Sequence, residues 1–312
     1  MEPISVVFMG TPDFAVPCLE MLHEQNYQIK AVITQPDRPR GRGQKLVVSP
    51  VKACAMQYDL PILQPQKIKT PEFETLLEEL NPDLIVVVAF GQILSKRILD
   101  IPRLGCINVH ASLLPKYRGA APLHWSVING ETKTGVTTMF MDEGLDTGDM
   151  LLTAEMDITE QTTTGEVHDT LQAMGADVLA KTIQELIAGT AVRRPQNSEE
   201  ATYAPLLTKE LERIDWTKNA RVIHNLIRGL NPWPGSYTIF RNKRLKLWQS
   251  EVITETTTEV AGTIIRIDGE RILVATGSGV LALTNVQPEG KKRMVAGDFA
   301  RGHQIQAGEI LG

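Results

Sequence analysis

Short, mostly apolar segments that do not alternate with polar residues recur along the first half of the chain, and they limit the folds it can adopt. Strands of this kind are typical of a parallel sheet covered by helices on both faces. In strands with one exposed face, apolar and polar residues alternate instead. The segments lie at residues 6–8, 29–34, 84–89 and 105–109. Amphipathic patterns of helical period separate them, at residues 13–25, 50–58 and 71–80. The alternation predicts an α/β fold built on a doubly wound, mostly parallel sheet.

The last third of the chain carries a different pattern. A long helix is predicted at residues 164–188, and a polar stretch without clear period, 189–198, begins a linker. After a short helical segment at 220–228, five short strands follow, at 237–240, 245–248, 262–267, 272–275 and 281–286. Short strands joined by Gly-containing turns predict a small OB-like β-barrel.

Length and cysteine usage narrow the class of protein. A chain of 312 residues is long enough for two domains, each with its own core. The longest apolar run, 84–90, falls far short of the ~20 residues of a membrane span, and the N-terminus runs directly into a strand-like segment. We therefore expect an uncleaved, soluble, cytoplasmic protein with no membrane association. The three cysteines include no CxxC pair, and the histidines form no ligand-spaced cluster, so we expect neither disulfides nor a metal.

The net charge of −5 conceals an asymmetry between the two parts of the chain. Residues 1–205 hold 17 Lys and Arg against 26 Asp and Glu, whereas residues 206–312 hold 15 against 11. Within the acidic part, the run 37–45 carries four cations and one anion. Such a run is either a phosphate contact or a solvated surface loop.

Two polar residues share one face at the end of a predicted strand. Because side chains alternate along a strand, Asn108 and His110 point to one side and Val109 to the other. In open α/β sheets, ligands bind beyond the carboxyl ends of the strands. Two such donors could stabilise the oxygen of a tetrahedral intermediate in acyl or formyl transfer, although a structural pair would look the same.

An aspartate from a later turn could complete this site. Residues 135–141 resemble a strand that leads into a glycine-rich turn containing Asp142, Asp146 and Asp149. Any of the three could shuttle a proton or orient His110, and spacing alone does not distinguish them from turn formers.

Other kinds of site find less support in the sequence. Ser112 could complete a Ser-His-Asp arrangement, but no GxSxG elbow is present. The loop at residues 10–14 lacks the GxGxxG spacing of a dinucleotide site, and Gly290-Lys291 lacks the other residues of a P-loop.

The order and spacing of several segments resemble the folate-dependent formyltransferases. The core of the resemblance is Asn108 with residues 110–115, 118–119 and 146–149. The similarity continues over nearly the whole chain, at residues 10–14, 34–38, 41–43, 104–110, 214–216 and 231–234. It implies a Rossmann-like formyltransferase domain over residues 1–189, a linker over 190–207 and an OB-like tRNA-binding domain over 208–312.

The resemblance also implies a reaction. The donor would be 10-formyltetrahydrofolate, and the acceptor would be the free α-amine of the methionyl group on initiator tRNA. Asn108 and His110 would stabilise the oxyanion during direct attack. Asp146 would position His110 and, through a water, help move the proton from the amine to the folate nitrogen. No metal is implied, and we expect a monomer.

Further residues are assigned by the same resemblance. The reduced folate would contact Ser112, Leu113, Leu114, Pro115 and Phe14. The tRNA would contact the basic loop and the C-terminal domain, through Arg38, Arg40, Arg42, Lys45, Arg241, Lys243 and Arg244.

Alternative functions remain open from the sequence. A formyltransferase acting on an amino sugar nucleotide shares the core motif, and a 10-formyltetrahydrofolate hydrolase would need no acceptor amine. A formyltransferase of the purine pathway would end near residue 200, so the additional residues up to 312 argue against that alternative. A non-catalytic RNA-binding protein would explain the basic residues, but it leaves Asn108, His110 and Asp146 without a role.

Overall fold

The computed structural model describes residues 3–40 and 45–312, and the chain forms two compact units. The first, called the N-terminal unit, comprises Met1–Gly119, Thr134–Met156 and His168–Tyr203. The second, called the C-terminal unit, comprises Ala120–Lys133, Asp157–Val167 and Ala204–Gly312. The two units interleave along the sequence, whereas the boundaries predicted above are continuous; those boundaries stay a prediction.

Helices and strands alternate through the first two thirds of the chain. In chain order they are β1 (Ser5–Gly10), α1 (Val16–Glu24), β2 (Gln28–Ile33), β3 (Arg38–Arg40), β4 (Lys45–Val47), α2 (Pro50–Gln57), β5 (Ile62–Leu63), α3 (Pro71–Leu80), β6 (Leu84–Val88), α4 (Lys96–Leu99), β7 (Cys106–His110), β8 (Arg118–Gly119), α5 (Pro122–Ile128), β9 (Lys133–Phe140), β10 (Met150–Asp157), α6 (Thr164–Ala188) and β11 (Tyr203–Ala204).

A seven-stranded sheet of order β10-β9-β7-β6-β1-β2-β5 forms the centre of the N-terminal unit. The pairs β1–β2, β1–β6, β2–β5 and β6–β7 are parallel. Strand β9 pairs antiparallel with β7 and places Met139 opposite Asn108 and Thr137 opposite His110. The predicted mostly parallel α/β fold is confirmed. The sequence pattern did not predict that an antiparallel strand would pair with β7, the strand that carries Asn108 and His110.

Local sequence signals fix where the helices begin. Ser49 caps α2 by accepting a hydrogen bond from the Lys52 amide at 3.0 Å, and Thr70 caps α3 in the same way at 3.3 Å from Phe73. A proline follows each cap, at the position where a missing amide hydrogen costs least. These two helices therefore begin at Pro50 and Pro71, as the sequence predicts.

The core of the N-terminal unit lies on both faces of the sheet. Strands β1, β6 and β7 are buried at every position, as expected for parallel strands covered on both sides. One hydrophobic cluster joins Val7 and Met9 of β1 to Ile85 of β6 and to Phe73 and Leu77 of α3. Burial of these apolar side chains supplies the main driving force for folding of this unit.

The C-terminal unit is built on an antiparallel sheet. Its remaining elements are α7 (Ala220–Gly229), β12 (Ser236–Phe240), β13 (Lys243–Ile253), β14 (Ile264–Asp268), β15 (Arg271–Ala275), β16 (Val280–Pro288), β17 (Met294–Val295) and α8 (Ala296–His303). The sheet order is β12-β13-β16-β15-β14, and β17 pairs with β16. Five of these strands match the five predicted segments, and a hydrophobic cluster joins the sheet to both helices. Within the described ranges, no helix is long and apolar enough to cross a membrane.

Truncation of a central core residue should destabilise the N-terminal unit. Ile85→Ala removes a side chain that is fully buried in β6, and the cavity should lower the free energy of unfolding by about 2–5 kcal/mol. The matched control is Ile93→Ala, since Ile93 is 59% exposed, and its cost should stay within about 0.5 kcal/mol. Urea unfolding followed by circular dichroism measures both, and equal losses would contradict this assignment of the core.

Candidate active site

Asn108 and His110 lie at the carboxyl end of β7, and both side chains are more than nine-tenths buried. The registers place Asn108 between Val87 of β6 and Met139 of β9. Buried polar groups need hydrogen-bond partners, because an unmet donor costs its full desolvation. The contacts of these two side chains therefore define the site.

Asp146 supplies the partner that the two side chains share. It lies between β9 and β10 with a positive φ of 53°, in the left-handed region. Asn108 Nδ2 donates to Asp146 Oδ1 at 3.4 Å, and His110 Nδ1 lies 3.7 Å from Asp146 Oδ2. The Gly119 amide donates to the same Oδ2 at 2.8 Å. The structure thus brings together the three residues singled out from the sequence.

The other two aspartates of the turn have different partners. Asp142 accepts from the Gly144 amide at 3.0 Å and from the Thr147 hydroxyl at 2.7 Å, as a turn former does. Asp149 forms an ion pair with Arg193 at 2.8 Å. Among the three aspartates that spacing could not distinguish, Asp146 is the one in contact with Asn108 and His110.

One nitrogen of His110 is committed to the backbone. His110 Nε2 lies 2.9 Å from the carbonyl oxygen of Tyr117. A carbonyl oxygen only accepts, so Nε2 carries a hydrogen and donates it. The second nitrogen, Nδ1, faces Asp146. Nδ1 is therefore the nitrogen that is left for contacts with other groups of this site.

The loop after His110 is held against β9 by one threonine. Thr137 Oγ1 donates to the carbonyl of Ser112 at 2.7 Å and accepts from the amide of Leu114 at 3.2 Å. Ser112 and Leu114 are buried, whereas Leu113 and Pro115 are partly exposed. Of the four residues in this loop that are predicted to bind folate, Leu113 and Pro115 are therefore the ones that offer side-chain surface.

Ser112 makes a contact unlike that of a hydrolase nucleophile. Its hydroxyl donates to the carbonyl oxygen of Lys116 at 2.6 Å. A serine nucleophile instead donates to the base that activates it. The geometry gives no support to the Ser-His-Asp alternative.

Phe14, the fifth residue predicted to bind folate, follows β1 at the same edge of the sheet. It lies in a short 3₁₀ helix before α1 and is buried. Its ring packs edge-on against His168, with centroids 5.6 Å apart. This ring is part of the packing between the start of α1 and α6.

The basic run forms an antiparallel hairpin in its described part. Arg38 and Arg40 lie in β3 and Lys45 in β4, whereas Arg42 lies outside the described residues. At the base of the hairpin, Asp37 accepts from Lys52 at 2.5 Å and from Gln64 at 2.8 Å. These hydrogen bonds, that from Lys52 foremost, hold the pKa of Asp37 below its usual range. The one anion of the run is therefore paired outside the hairpin.

Of the three basic residues predicted in the C-terminal unit, Arg241 lies in the turn between β12 and β13, and Lys243 and Arg244 begin β13. Arg241 forms an ion pair with Glu309 at 2.8 Å, so its charge is compensated. Lys243 is exposed, and the guanidinium of Arg244 lies 4.5 Å from the ring centroid of Tyr237. Within the described part of the chain, no carboxylate lies within ion-pair distance of Lys243 or Arg244.

Sequence reasoning missed one polar residue of the site. Gln196 lies in the stretch predicted as a linker, yet its Nε2 donates to the carbonyls of Asp146 and Gly148, both at 2.8 Å. No motif or periodicity marks this residue, and its contacts depend on a return of the chain after α6. Within residues 3–40 and 45–312, no group of three or more His, Cys, Asp or Glu side chains is placed to hold a metal ion.

Comparison with family models defines the class of protein. The formyl transferase model matches residues 4–183, and the formyl transferase C-terminal domain model matches residues 206–304. The chain therefore belongs to a family of enzymes that transfer formyl groups.

Curated relatives narrow the class further. The chain is 52% identical to the methionyl-tRNA formyltransferase of Clostridioides difficile strain 630, over 99% of this chain and 100% of that protein. It is 48% identical to the methionyl-tRNA formyltransferase of Acetivibrio thermocellus, over 98% and 99%. The chain belongs to the methionyl-tRNA formyltransferase family.

Solved structures share the fold at lower identity. A sugar 3N-formyl transferase, WlaRD, is similar with a TM-score of 0.66 and 20% identity, over 94% of this chain and 100% of that one. The N-formyltransferase of Helicobacter canadensis gives a TM-score of 0.66 and 21% identity, over 91% and 99%. At these identities the similarity concerns the fold alone.

A methyl group added at Gly148 should displace the loop that carries Asp146. The new Cβ would lie 1.9 Å from the backbone oxygen of Phe140, which cannot move without disturbing β9. A shift of about 1 Å at a catalytic group can cost on the order of 10² in rate, so Gly148→Ala should lower kcat for formyl transfer about that much. Gly302→Ala is the control, because its Cβ would meet no atom within 4 Å. Equal kcat for the two variants would contradict the role of this loop.

Proposed function

We propose that this protein transfers the formyl group of 10-formyltetrahydrofolate to the α-amine of methionyl initiator tRNA, giving N-formylmethionyl-tRNA for translation initiation. The choice of substrate rests on the curated relatives. About half of the residues are identical to those of methionyl-tRNA formyltransferases, over nearly the full length of both chains. The contacts of Asn108, His110 and Asp146 supply the chemistry. We further propose that it acts as a cytoplasmic monomer.

The reaction begins with attack of the neutral amine on the formyl carbon. A C–N bond forms as the electrons of the C=O bond move to oxygen, which becomes an oxyanion. Asn108 Nδ2 is a fixed donor at the end of β7, held on Asp146 at 3.4 Å before the reaction. An oxyanion within reach of Nδ2 gains a hydrogen bond that the ground-state carbonyl makes less strongly.

His110 provides the second interaction with the developing charge. Because its Nε2 hydrogen is donated to Tyr117, only Nδ1 remains for the substrate and for Asp146. When Nδ1 is protonated, the imidazolium offers both a hydrogen bond and a positive charge beside the oxyanion.

Asp146 accepts hydrogen bonds in the resting site and takes part in proton transfer during the reaction. The attacking nitrogen must lose a proton, and the folate nitrogen must gain one as the C–N bond to the folate breaks. A carboxylate beside the reacting centre, acting through a water, can accept the first proton and deliver the second. No covalent intermediate with the enzyme is needed, so no side chain has to act as a nucleophile.

The reduced folate is proposed to contact the loop at residues 112–115 and Phe14. Thr137 fixes that loop against β9, and Leu113 and Pro115 present apolar surface beside backbone groups. Apolar walls with a few placed polar groups are typical of small-molecule sites. Phe14, whose ring packs on His168, would form part of the apolar surface of the folate site at the end of β1.

The tRNA is proposed to contact the basic hairpin and the turn between β12 and β13. The anion of this run, Asp37, is paired with Lys52, and the cations Arg38, Arg40, Arg42 and Lys45 are proposed to contact phosphates. In the C-terminal unit, Lys243 and Arg244 are free of carboxylate partners within the described residues, whereas Arg241 is paired with Glu309. Phosphate contacts of this kind bind by counterion release and position the RNA.

Loss of either oxyanion donor should reduce turnover sharply. Asn108→Ala and His110→Ala should each lower kcat by about 10²–10³, with KM values for folate and tRNA changed only a few-fold. Steady-state formylation of charged initiator tRNA measures these constants. His23→Ala is the control, since His23 stacks on Tyr58 away from β7. Unchanged kcat in both site variants would refute the proposed roles.

Acceptor choice is tested with the wild-type protein. The assay offers 10-formyltetrahydrofolate with charged initiator tRNA, with an amino sugar nucleotide, or with no acceptor. Formylation of the tRNA alone supports the proposal. Formylation of the sugar nucleotide alone would leave the chemistry intact and overturn the substrate, and formate release without an acceptor would indicate a hydrolase.

Arg244 should contribute to tRNA binding through its charge. Arg244→Ala should raise the KM for charged tRNA and reduce the slope of log affinity against log salt by about 1. The matched control removes the compensated pair, Arg241→Ala with Glu309→Ala, and should leave that slope unchanged because net charge is conserved. Filter binding over a salt series compares the variants. Equal slopes for Arg244→Ala and wild type would place the RNA elsewhere.

A further inference from the structure

Gln196 connects two parts of the N-terminal unit that meet at Asp146. Its amide nitrogen donates to the backbone carbonyls of Asp146 and Gly148, both at 2.8 Å. Its amide oxygen accepts from the guanidinium of Arg118, at 3.0 Å from Nε and 2.8 Å from a terminal nitrogen. Every hydrogen-bonding atom of this side chain is therefore used.

The residue that Gln196 holds has an unusual backbone. Asp146 has a φ of 53°, a strained conformation that non-glycine residues keep only when their surroundings enforce it. The two bonds from Gln196 bracket this turn, one at Asp146 itself and one two residues later. The amide therefore restrains the backbone from which the catalytic carboxylate projects.

Arg118 fixes Gln196 from the opposite side. Its side chain is buried, and its backbone amide donates to the carbonyl of Thr202 at 2.9 Å. The next residue, Gly119, donates its amide to the carboxylate of Asp146 at 2.8 Å. Backbone and side chain of Asp146 are thus both tied to the Arg118–Gly119 segment, the first through Gln196 and the second directly.

We propose that Gln196, held by Arg118, is a positioning residue that sets the placement of the Asp146 carboxylate relative to Asn108 and His110. The inference rests on the proposed function, because placement has a kinetic meaning only if Asp146 takes part in formyl transfer. Gln196 touches no reacting atom; it acts through the turn that carries Asp146.

The polarity of the amide makes the inference testable with an isosteric change. Gln196→Glu keeps the shape and gives Arg118 a charged partner, so the half of the contact that faces Arg118 is retained or strengthened. The other half is lost, because a carboxylate oxygen cannot donate to the carbonyls of Asp146 and Gly148. If the role of Gln196 were limited to its hydrogen bonds with Arg118, the Gln196→Glu variant would have the kcat of wild type.

The expected result is a fall in kcat of on the order of 10², with KM values for 10-formyltetrahydrofolate and charged tRNA within about two-fold. Gln184→Glu is the matched control, since it introduces the same charge on an exposed position of α6 and should leave kcat unchanged. A second variant, Arg118→Lys, keeps a cation but cannot make the two-pronged contact, and it should lower kcat in the same direction.

A double-mutant cycle separates positioning from general damage. If Gln196 acts through Asp146, then Asp146→Asn and Asp146→Asn with Gln196→Glu should have equal kcat, because the group being positioned is already lost. The inference would be overturned if the double variant had a lower kcat than Asp146→Asn alone. An unchanged kcat in Gln196→Glu would overturn it as well. Failure of the proposed function is recognised separately, since wild-type protein would then not formylate tRNA at all.

Discussion

The carboxylate of Asp146 is the contact on which the candidate site depends. Two polar side chains are buried at the end of β7, where burial without partners would destabilise the fold. One aspartate, in the turn between the neighbouring strand β9 and β10, contacts both side chains, and its carboxylate also accepts from the Gly119 amide. The carboxylate that completes this buried cluster is also the group to which we assign proton transfer, so the stability of the site and the proposed chemistry depend on the same atoms.

Much of the fold follows from local patterns in the sequence. The pattern predicts a helix at residues 164–188, and α6 has those bounds. Helix α3 has the predicted bounds as well, and Thr70 and Pro71 mark its start. The apolar runs of β1, β6 and β7 indicated burial on both faces, which the structure confirms. Such features are predictable because capping and hydrophobic period act over a few residues.

Other features depend on contacts between distant residues and could not be predicted in that way. Asp142, Asp146 and Asp149 are equivalent in composition and spacing, and only the path of β9 decides which of them meets Asn108. Gln196 lies in a stretch with no periodicity, and its partners are about 50 and 80 residues away in sequence. The pairing of Arg241 with Glu309 likewise joins residues 68 positions apart, so a count of basic residues overestimated its free charge.

The interleaving of the two compact units bears on how such a chain could arise and be rearranged. Helix α5 and residues 157–167 belong to the C-terminal unit, although N-terminal unit sequence flanks both of them. A single crossover in the gene near residue 189 would therefore not exchange one unit for another, because two pieces of the second would stay behind. The architecture favours inheritance of the chain as a whole, and an exchange of one unit for another would have to preserve five separate boundaries at once.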